Sequence, residues 1–178
     1  MTFDCDTLLL SVGLIPENEL TRMAGIEIDR RTNGALVSEN NETSIPGVFA
    51  CGNVLQVHDL VDYVTAESIR AGRSAAAYVQ QKDAAESAAL EVTPGTDVNY
   101  VVPQRVRPER VEKSVEFFFR VRRSMESSRI IVRQGDRVAA QFRRDRMAPG
   151  EMEHVNVPRH LLAQNGGPLT ISVEEVQA

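Results

Sequence analysis

The run Thr43-Ser44-Ile45-Pro46-Gly47-Val48-Phe49-Ala50-Cys51-Gly52-Asn53 brings a short apolar segment to a stop on a glycine followed by an amide side chain. Gly52 has no Cβ to hold a ligand off the backbone, and Asn53 carries a short side chain that can hydrogen-bond a hydroxyl. The residues beyond it are helical in character, so the junction also offers the unsatisfied N–H groups and positive dipole end of a helix start. Together these features favour anionic or electron-rich ligand atoms. The same strand-glycine-asparagine-helix pattern also occurs as a plain turn, and the motif alone leaves both readings open.

The chemically capable residues around this junction are few. Cys51 adjoins it and could act as a redox thiol, but the only other cysteine is Cys5 and no CxxC spacing exists, so Cys51 reads as a small apolar residue at a buried strand end. Cys5 reads as structural or exposed. His58, Asp59 and Asp62 do not readily face one common ion from offsets of one and four, and no metal site is expected. His58 is either a proton donor near a ligand or an ordinary loop histidine. Tyr63 either approaches a ligand ring or packs in the core. No G-x-G-x-x-G follows any apolar run, so neither phosphate-cradling loop of a dinucleotide-binding protein is encoded here.

These residues need elements to hold them. Asp6-Thr7-Leu8-Leu9-Leu10-Ser11-Val12-Gly13 has the pattern of a strand buried on both faces of a parallel sheet. Gly25-Ile26-Glu27-Ile28-Asp29 alternates, Asn33-Gly34 tips a turn, and Ala35-Leu36-Val37-Ser38 returns. Val48 to Cys51 is a short strand. A long helix is expected from Asp59 to about Gln81, with Ala66, Ile69, Ala71, Ala75, Ala76 and Val79 forming a small-residue face. Residues 83–97, rich in Ala, Glu, Ser, Thr, Pro and Gly, read as a linker between a unit at 1–82 and another at 98–178. In that second unit, β-branched or aromatic runs at 98–102, 115–121, 129–132, 138–142, 155–157 and 169–173 are separated by turns at Gln134-Gly135-Asp136, Ala148-Pro149-Gly150 and Asn165-Gly166-Gly167-Pro168. That spacing predicts an antiparallel β-sandwich.

Residues 1–81 resemble the end of the two-dinucleotide-domain flavoproteins, the pyridine nucleotide-disulfide oxidoreductase superfamily. Residues 6–18, with Gly13-Leu14-Ile15-Pro16-Glu17-Asn18, resemble the segment on which those chains leave the NAD(P) domain. Gly25 to Asp29, Gly34 to Val37 and Thr43 to Asn53 resemble the return to the FAD domain, and Ala66 with Ala71-Gly72-Arg73-Ser74-Ala75-Ala76 resembles the final helix. The fold implied is an α/β remnant of an FAD/NAD(P)-binding Rossmann-like domain followed by an all-β sandwich-like domain. The resemblance places Gly52 and Asn53 at the ribityl chain of FAD and Asp62, Tyr63 and Val64 near the flavin ring, with Val54 also expected among the cofactor-binding residues. Asn53 stands where that family usually has Asp, which removes one negative charge from the cofactor's surroundings. The run from Asn53 to Tyr63 is similar to bacterial flavoproteins found alongside glycerol-3-phosphate dehydrogenase, which also carry a β-rich tail.

The function implied is that of a fragment of a flavin-dependent NAD(P)H oxidoreductase, inactive alone, either a truncated chain or the product of a split gene. Its partial FAD site would be completed by missing N-terminal segments of the same enzyme or by another chain, and NAD(P)H would bind elsewhere. Leu8, Leu9, Leu10 and Val12 would lose their cover, so a homodimer through the N-terminal strand is a further expectation. The alternative function is a non-catalytic docking or assembly module.

Composition narrows the partners. An apolar fraction of 42% is enough for a real core, and a net charge of -5 argues against nucleic acid. Residues 105–146 are locally basic, with thirteen Arg and Lys against six Asp and Glu. Alternation in Arg120-Val121-Arg122 and Arg137-Val138 assigns these charges to solvent-facing sides of strands, with docking of an acidic partner as the weaker reading. The longest apolar run, around residues 8–15, is too short to span a bilayer, and a soluble cytoplasmic protein is expected.

Overall fold

The computed structural model describes residues 2–9, 13–80, 88–162 and 167–176. Among the described residues, the C-terminal unit contains eight strands: β1 (Leu90–Pro94), β2 (Val98–Val102), β3 (Arg105–Val106), β4 (Ser114–Val121), β5 (Met125–Gln134), β6 (Arg137–Met147), β7 (Glu153–Pro158) and β8 (Leu169–Glu175). They form one five-stranded sheet in the order β3-β1-β8-β5-β6 and one three-stranded sheet in the order β2-β4-β7. Val92, Ile130, Leu169 and Ile171 of the first sheet meet Val101, Phe117, Phe119 and Val157 of the second in one buried cluster. All ladders are antiparallel except β1 with β8, which run parallel.

β1 corrects the expected linker at 83–97. Leu90 and Val92 face the core, but Leu90-Glu91-Val92-Thr93-Pro94 offers only two apolar alternations. The strand is held by Leu169 to Ile171, far along the chain, a pairing that local pattern does not reveal. The part of that stretch at 81–87, the end of the expected helix at Gln81, and the turn residues Asn165-Gly166 lie outside the described residues.

The N-terminal unit is held together by loops. A short helix α1 (Glu19–Met23) precedes an open hairpin in which Ile28 bridges Ala35, with Asn33 at its tip in the left-handed region at φ 59°. A second narrow loop closes where Glu42 bridges Phe49, and one 3-10 turn (Gly52–Val54) leads towards the long helix α2 (Val61–Val79). The expected strand at 6–13 is not formed over its described residues. Leu8 and Leu9 are 74% and 89% exposed, because none of the described residues lies beside them to pair or cover them; Leu10, Ser11 and Val12 fall outside the described residues. On α2 the expected small-residue face is only partly buried: Ala71 is covered, while Ala66, Ile69, Ala76 and Val79 are exposed.

The two units pack together. In β4, Val115, Phe117, Phe119 and Val121 point into the sandwich, and the alternate residues Glu116, Phe118 and Arg120 point out. Phe118 is nonetheless 1% exposed, because the N-terminal unit covers it. A second small core joins Ile26, Ala35, Val37 and Leu55 to Tyr100 and Val102 of β2. Arginines cross the seam: among them, Arg105 pairs with Glu27, Arg107 with Glu39 and Glu42, and Arg120 with Asp59. This corrects the solvent-facing assignment for Arg120, whose side of the strand is covered; Arg137, by contrast, is exposed.

Candidate functional site

Glycine and hydrogen bonding together shape the Gly52-Asn53 turn. Asn41 brackets the chain ahead of it: its carbonyl accepts the Ala50 N–H at 3.0 Å and its Nδ2 donates to the Ala50 carbonyl at 2.9 Å. Gly52 then turns at φ +75°, a conformation that an L side chain rarely adopts; its missing Cβ would lie 3.7 Å from Val64 Cγ1. The Leu55 N–H donates back to the Gly52 carbonyl at 2.8 Å. Beneath the turn, a Cβ on Gly34 would sit 1.8 Å from the Leu55 carbonyl oxygen, so only glycine fits at the hairpin tip. Asn18 supports the other side, donating from Nδ2 to the carbonyls of Val54 (2.8 Å) and Asn33 (3.0 Å).

A buried carboxylate lies behind the turn. Glu67 of α2 is 1% exposed. It accepts the Gly52 N–H at 2.5 Å and Gln56 Nε2 at 3.0 Å, and it faces His58 Nε2 at 3.1 Å. A carboxylate with this many partners rigidifies what it touches, because leaving any of those buried donors unpaired is costly. The Gly52 backbone is thereby tied directly to α2. His58 has no exposed side-chain surface and packs edge-on against Phe118, so of its two readings the proton donor facing a ligand does not hold.

The start of α2 is open. Leu60, at the cap position, is extended and makes no side-chain bond to the first turn. The first-turn N–H groups are therefore left for a ligand or solvent. Asp62 sits in the same turn and offsets part of the positive dipole end, so an uncharged electron-rich group suits this place better than a phosphate. Val54, Leu60 and Val61 surround it as exposed apolar side chains.

The sequence-selected residues divide into two sets. Gly52 and Val64 come together, and Asn53, Val54 and Asp62 are exposed nearby in the chain. Asn53 Oδ1 accepts the His58 N–H at 3.3 Å, which leaves its Nδ2 as the donor to offer. Tyr63 is half-buried and packs toward the sandwich, 5.6 Å from Phe118 and 5.5 Å from His154 between ring centroids. Cys51 is half-buried and free, as is the exposed Cys5. Among the described residues no three His, Cys, Asp or Glu side chains are grouped to hold a metal, and no helix is long and apolar enough to cross a membrane. Sequence reasoning missed Asn18, Gln56, Glu67 and Arg120. A legible signal existed for Glu67: a lone acid one helical turn before Ala71, on the stripe that is buried.

At the seam, burial and pairing set the ionisation. Burial pushes the Glu42 carboxyl up, but Arg107, the Gly47 N–H and Arg110 outweigh it and hold the group below its ordinary range. Burial likewise disfavours the Arg120 cation, and Asp59 with the Tyr100 hydroxyl more than restores it. Burial raises the Tyr100 hydroxyl, with Arg120 pulling the other way.

A glycine turn is thus tied through Glu67 to a helix whose first turn carries no side-chain cap. Comparison with known proteins finds matches for this part of the chain. Residues 1–76 match the family model of the pyridine nucleotide-disulphide oxidoreductases. The chain is 39% identical over 56 residues to the mitochondrial dihydrolipoyl dehydrogenase of Caenorhabditis elegans, which covers 31% of this chain and 11% of that protein. It is 44% identical over 59 residues to an NADH oxidase of Streptococcus pneumoniae, covering 33% and 12%. With an NADH oxidase of Methanocaldococcus jannaschii it is 31% identical over 87 residues, covering 49% and 18%. The similarity supports a pyridine nucleotide-disulphide oxidoreductase relationship for residues 1–76, and the aligned stretch spans less than a fifth of the length of each of these relatives. No solved structure matches the chain.

Proposed function

We propose that this chain supplies the ribityl and isoalloxazine wall of an FAD site in a flavin-dependent NAD(P)H oxidoreductase, completed by other segments of the same enzyme or by another chain. The observation that carries the reading is the juxtaposition of Gly52 with Val64: a turn without a Cβ, tied through Glu67 to the uncapped end of α2. Asn53 would bond a ribityl hydroxyl through Nδ2. The first-turn N–H groups of α2, with Val54, Asp62 and Val64 around them, would meet the polar edge of the ring. Bound FAD would supply hydride acceptance from NADH or NADPH, while this chain binds and orients it. Within this reading the chain is of the bacterial type found alongside glycerol-3-phosphate dehydrogenase, works in the cytoplasm, and is inactive alone.

The test is to purify the complete natural protein and record its visible spectrum. A flavin band that persists through purification, with FAD released on denaturation, is expected. Asn53→Ala removes one hydrogen bond, worth about 1 kcal/mol or some five- to tenfold in FAD affinity. A colourless complete protein overturns the reading. The second reading, a non-catalytic docking or assembly module, draws on the exposed Leu8, Leu9, Leu14 and Ile15 and predicts that colourless result together with a stable partner or homodimer.

A further inference from the structure

We infer that the outward face of β4, through Arg120 acting on Asp59, is the positioning device that fixes the entry to α2 and so the ring-side wall of the proposed FAD site; this rests on the FAD reading above. The sandwich lies beyond the family match, which ends at residue 76, so this gives it a part in the site.

Three segments converge on one guanidinium. Arg120 donates to the Val57 carbonyl at 3.2 Å and to the Asp59 carboxylate on one side, and to the carbonyls of Pro149 and Gly150 at 3.4 and 2.6 Å on the other. The second oxygen of Asp59 accepts the Met152 N–H. Residues 57 and 59 are thus bolted to β4 and to the turn between β6 and β7, immediately before α2 begins at Val61. The planar fork makes several directed bonds at once, which a lysine ammonium cannot reproduce in the same geometry.

The contacts continue in order along the same face. Tyr63 rests on Phe118, and Arg70 donates to Glu116 at 2.9 Å. Asp59, Tyr63 and Arg70 therefore meet Arg120, Phe118 and Glu116 in reverse sequence, so α2 runs back along β4 in a fixed register. A register held at three points leaves the uncapped first turn of α2 little freedom to shift. Of Arg120, Phe118 and Glu116, Arg120 is the one that hydrogen-bonds the non-helical residues 57 and 59 just ahead of the helix. Its effect on a ligand would be indirect, through backbone position.

The experiment compares wild type with Arg120→Met, Arg120→Lys and Asp59→Asn in the complete natural protein. It reads amide hydrogen exchange at residues 57–64, with β5 and β8 as internal reference, and FAD dissociation constants by fluorescence titration. Arg120→Met should speed exchange at 57–64 by tenfold or more and weaken FAD at least tenfold, with β5 and β8 unchanged. Lysine should recover part of both effects. Asp59→Asn keeps Arg120 buried and shaped, and should give the same pattern more weakly should the methionine variant fail to fold. Unchanged exchange at 57–64 in both Arg120→Met and Asp59→Asn overturns the clamp, and faster exchange with FAD affinity within twofold of wild type overturns its positioning role. If wild type binds no FAD, the function reading falls and exchange alone decides the clamp.

Discussion

Between β4 and α2 the chain changes the way it is held together. On one side of the seam, residues 90–176 fold two sheets over a core whose central side chains, Phe117, Phe119, Ile130 and Leu169 among them, are fully buried by their own unit. On the other side, the described residues up to 80 have two isolated β-bridges in place of strands, one long helix and a small core that is completed by Tyr100 and Val102 from the sandwich. The first unit follows from apolar pattern and layer packing. The second depends on loop hydrogen bonds, glycines where a Cβ is excluded or strained, Gly34, Gly47 and Gly52 among them, and arginines donated across the seam. The sandwich is therefore a scaffold in the literal sense: it bonds the chain on either side of Gly52 and Asn53, at Glu39 and Glu42 through Arg107 and at Val57 and Asp59 through Arg120.

Removing the scaffold's centre should have the largest effect. Phe119→Ala empties a fully buried aromatic position, and large-to-small changes of this kind cost about 3 to 5 kcal/mol. Chemical denaturation should show that loss in the main transition. Because the N-terminal unit leans on β2 and β4, amide protection at Val37 and Gly52 should fall with it. Retention of that protection in a molecule whose sandwich has loosened would break the comparison, since the N-terminal unit would then be holding its own shape.

The asymmetry also explains which parts were legible in the sequence. Runs such as 98–102, 115–121 and 169–173 announce strands because β-branched and aromatic residues recur between glycine turns, and they formed where expected. β1 did not announce itself, since its parallel partner is remote and its apolar content small. The alternation around Arg120 correctly separated the two faces of β4 but could not say that α2 would cover the outer one. The apolar run at 6–13 reads as a doubly buried strand, yet burial needs a neighbour, and Leu8 and Leu9 have none to cover them among the described residues. At the site, Gly52 and Asn53 were readable as a turn and Glu67 left a trace in its helical spacing to Ala71, while Arg120 acts through long-range contacts that no local pattern encodes.

A smaller and pH-dependent effect should come from the seam itself. Glu42 accepts from Arg107 and from the Gly47 N–H, and its folded pKa lies below the 4.5 of a free carboxyl. A depressed carboxyl contributes stability that is present above its unfolded pKa and lost as pH falls through the folded one. Glu42→Gln should therefore cost about 1.5 to 3 kcal/mol at neutral pH, with the difference from wild type shrinking as the solution is acidified below about 4.5. A gap between the two proteins that stays constant from pH 7 to pH 3 would show that Arg107 reaches across the seam without drawing stability from this charge.

The smallest effect on the chain's own stability is expected where the N-terminal unit is most open. Leu8 and Leu9 make little buried surface within the chain, so Leu8→Ser with Leu9→Ser should change its unfolding free energy by no more than about 0.5 kcal/mol. Association should respond instead. Exposed leucines gain from being covered by a second surface, and replacing both should lower self-association in sedimentation velocity severalfold at a given concentration. A large loss of stability in the double variant would mean that the segment packs on its own chain after all, and the contrast between a closed sandwich and an open N-terminal unit would have to be redrawn.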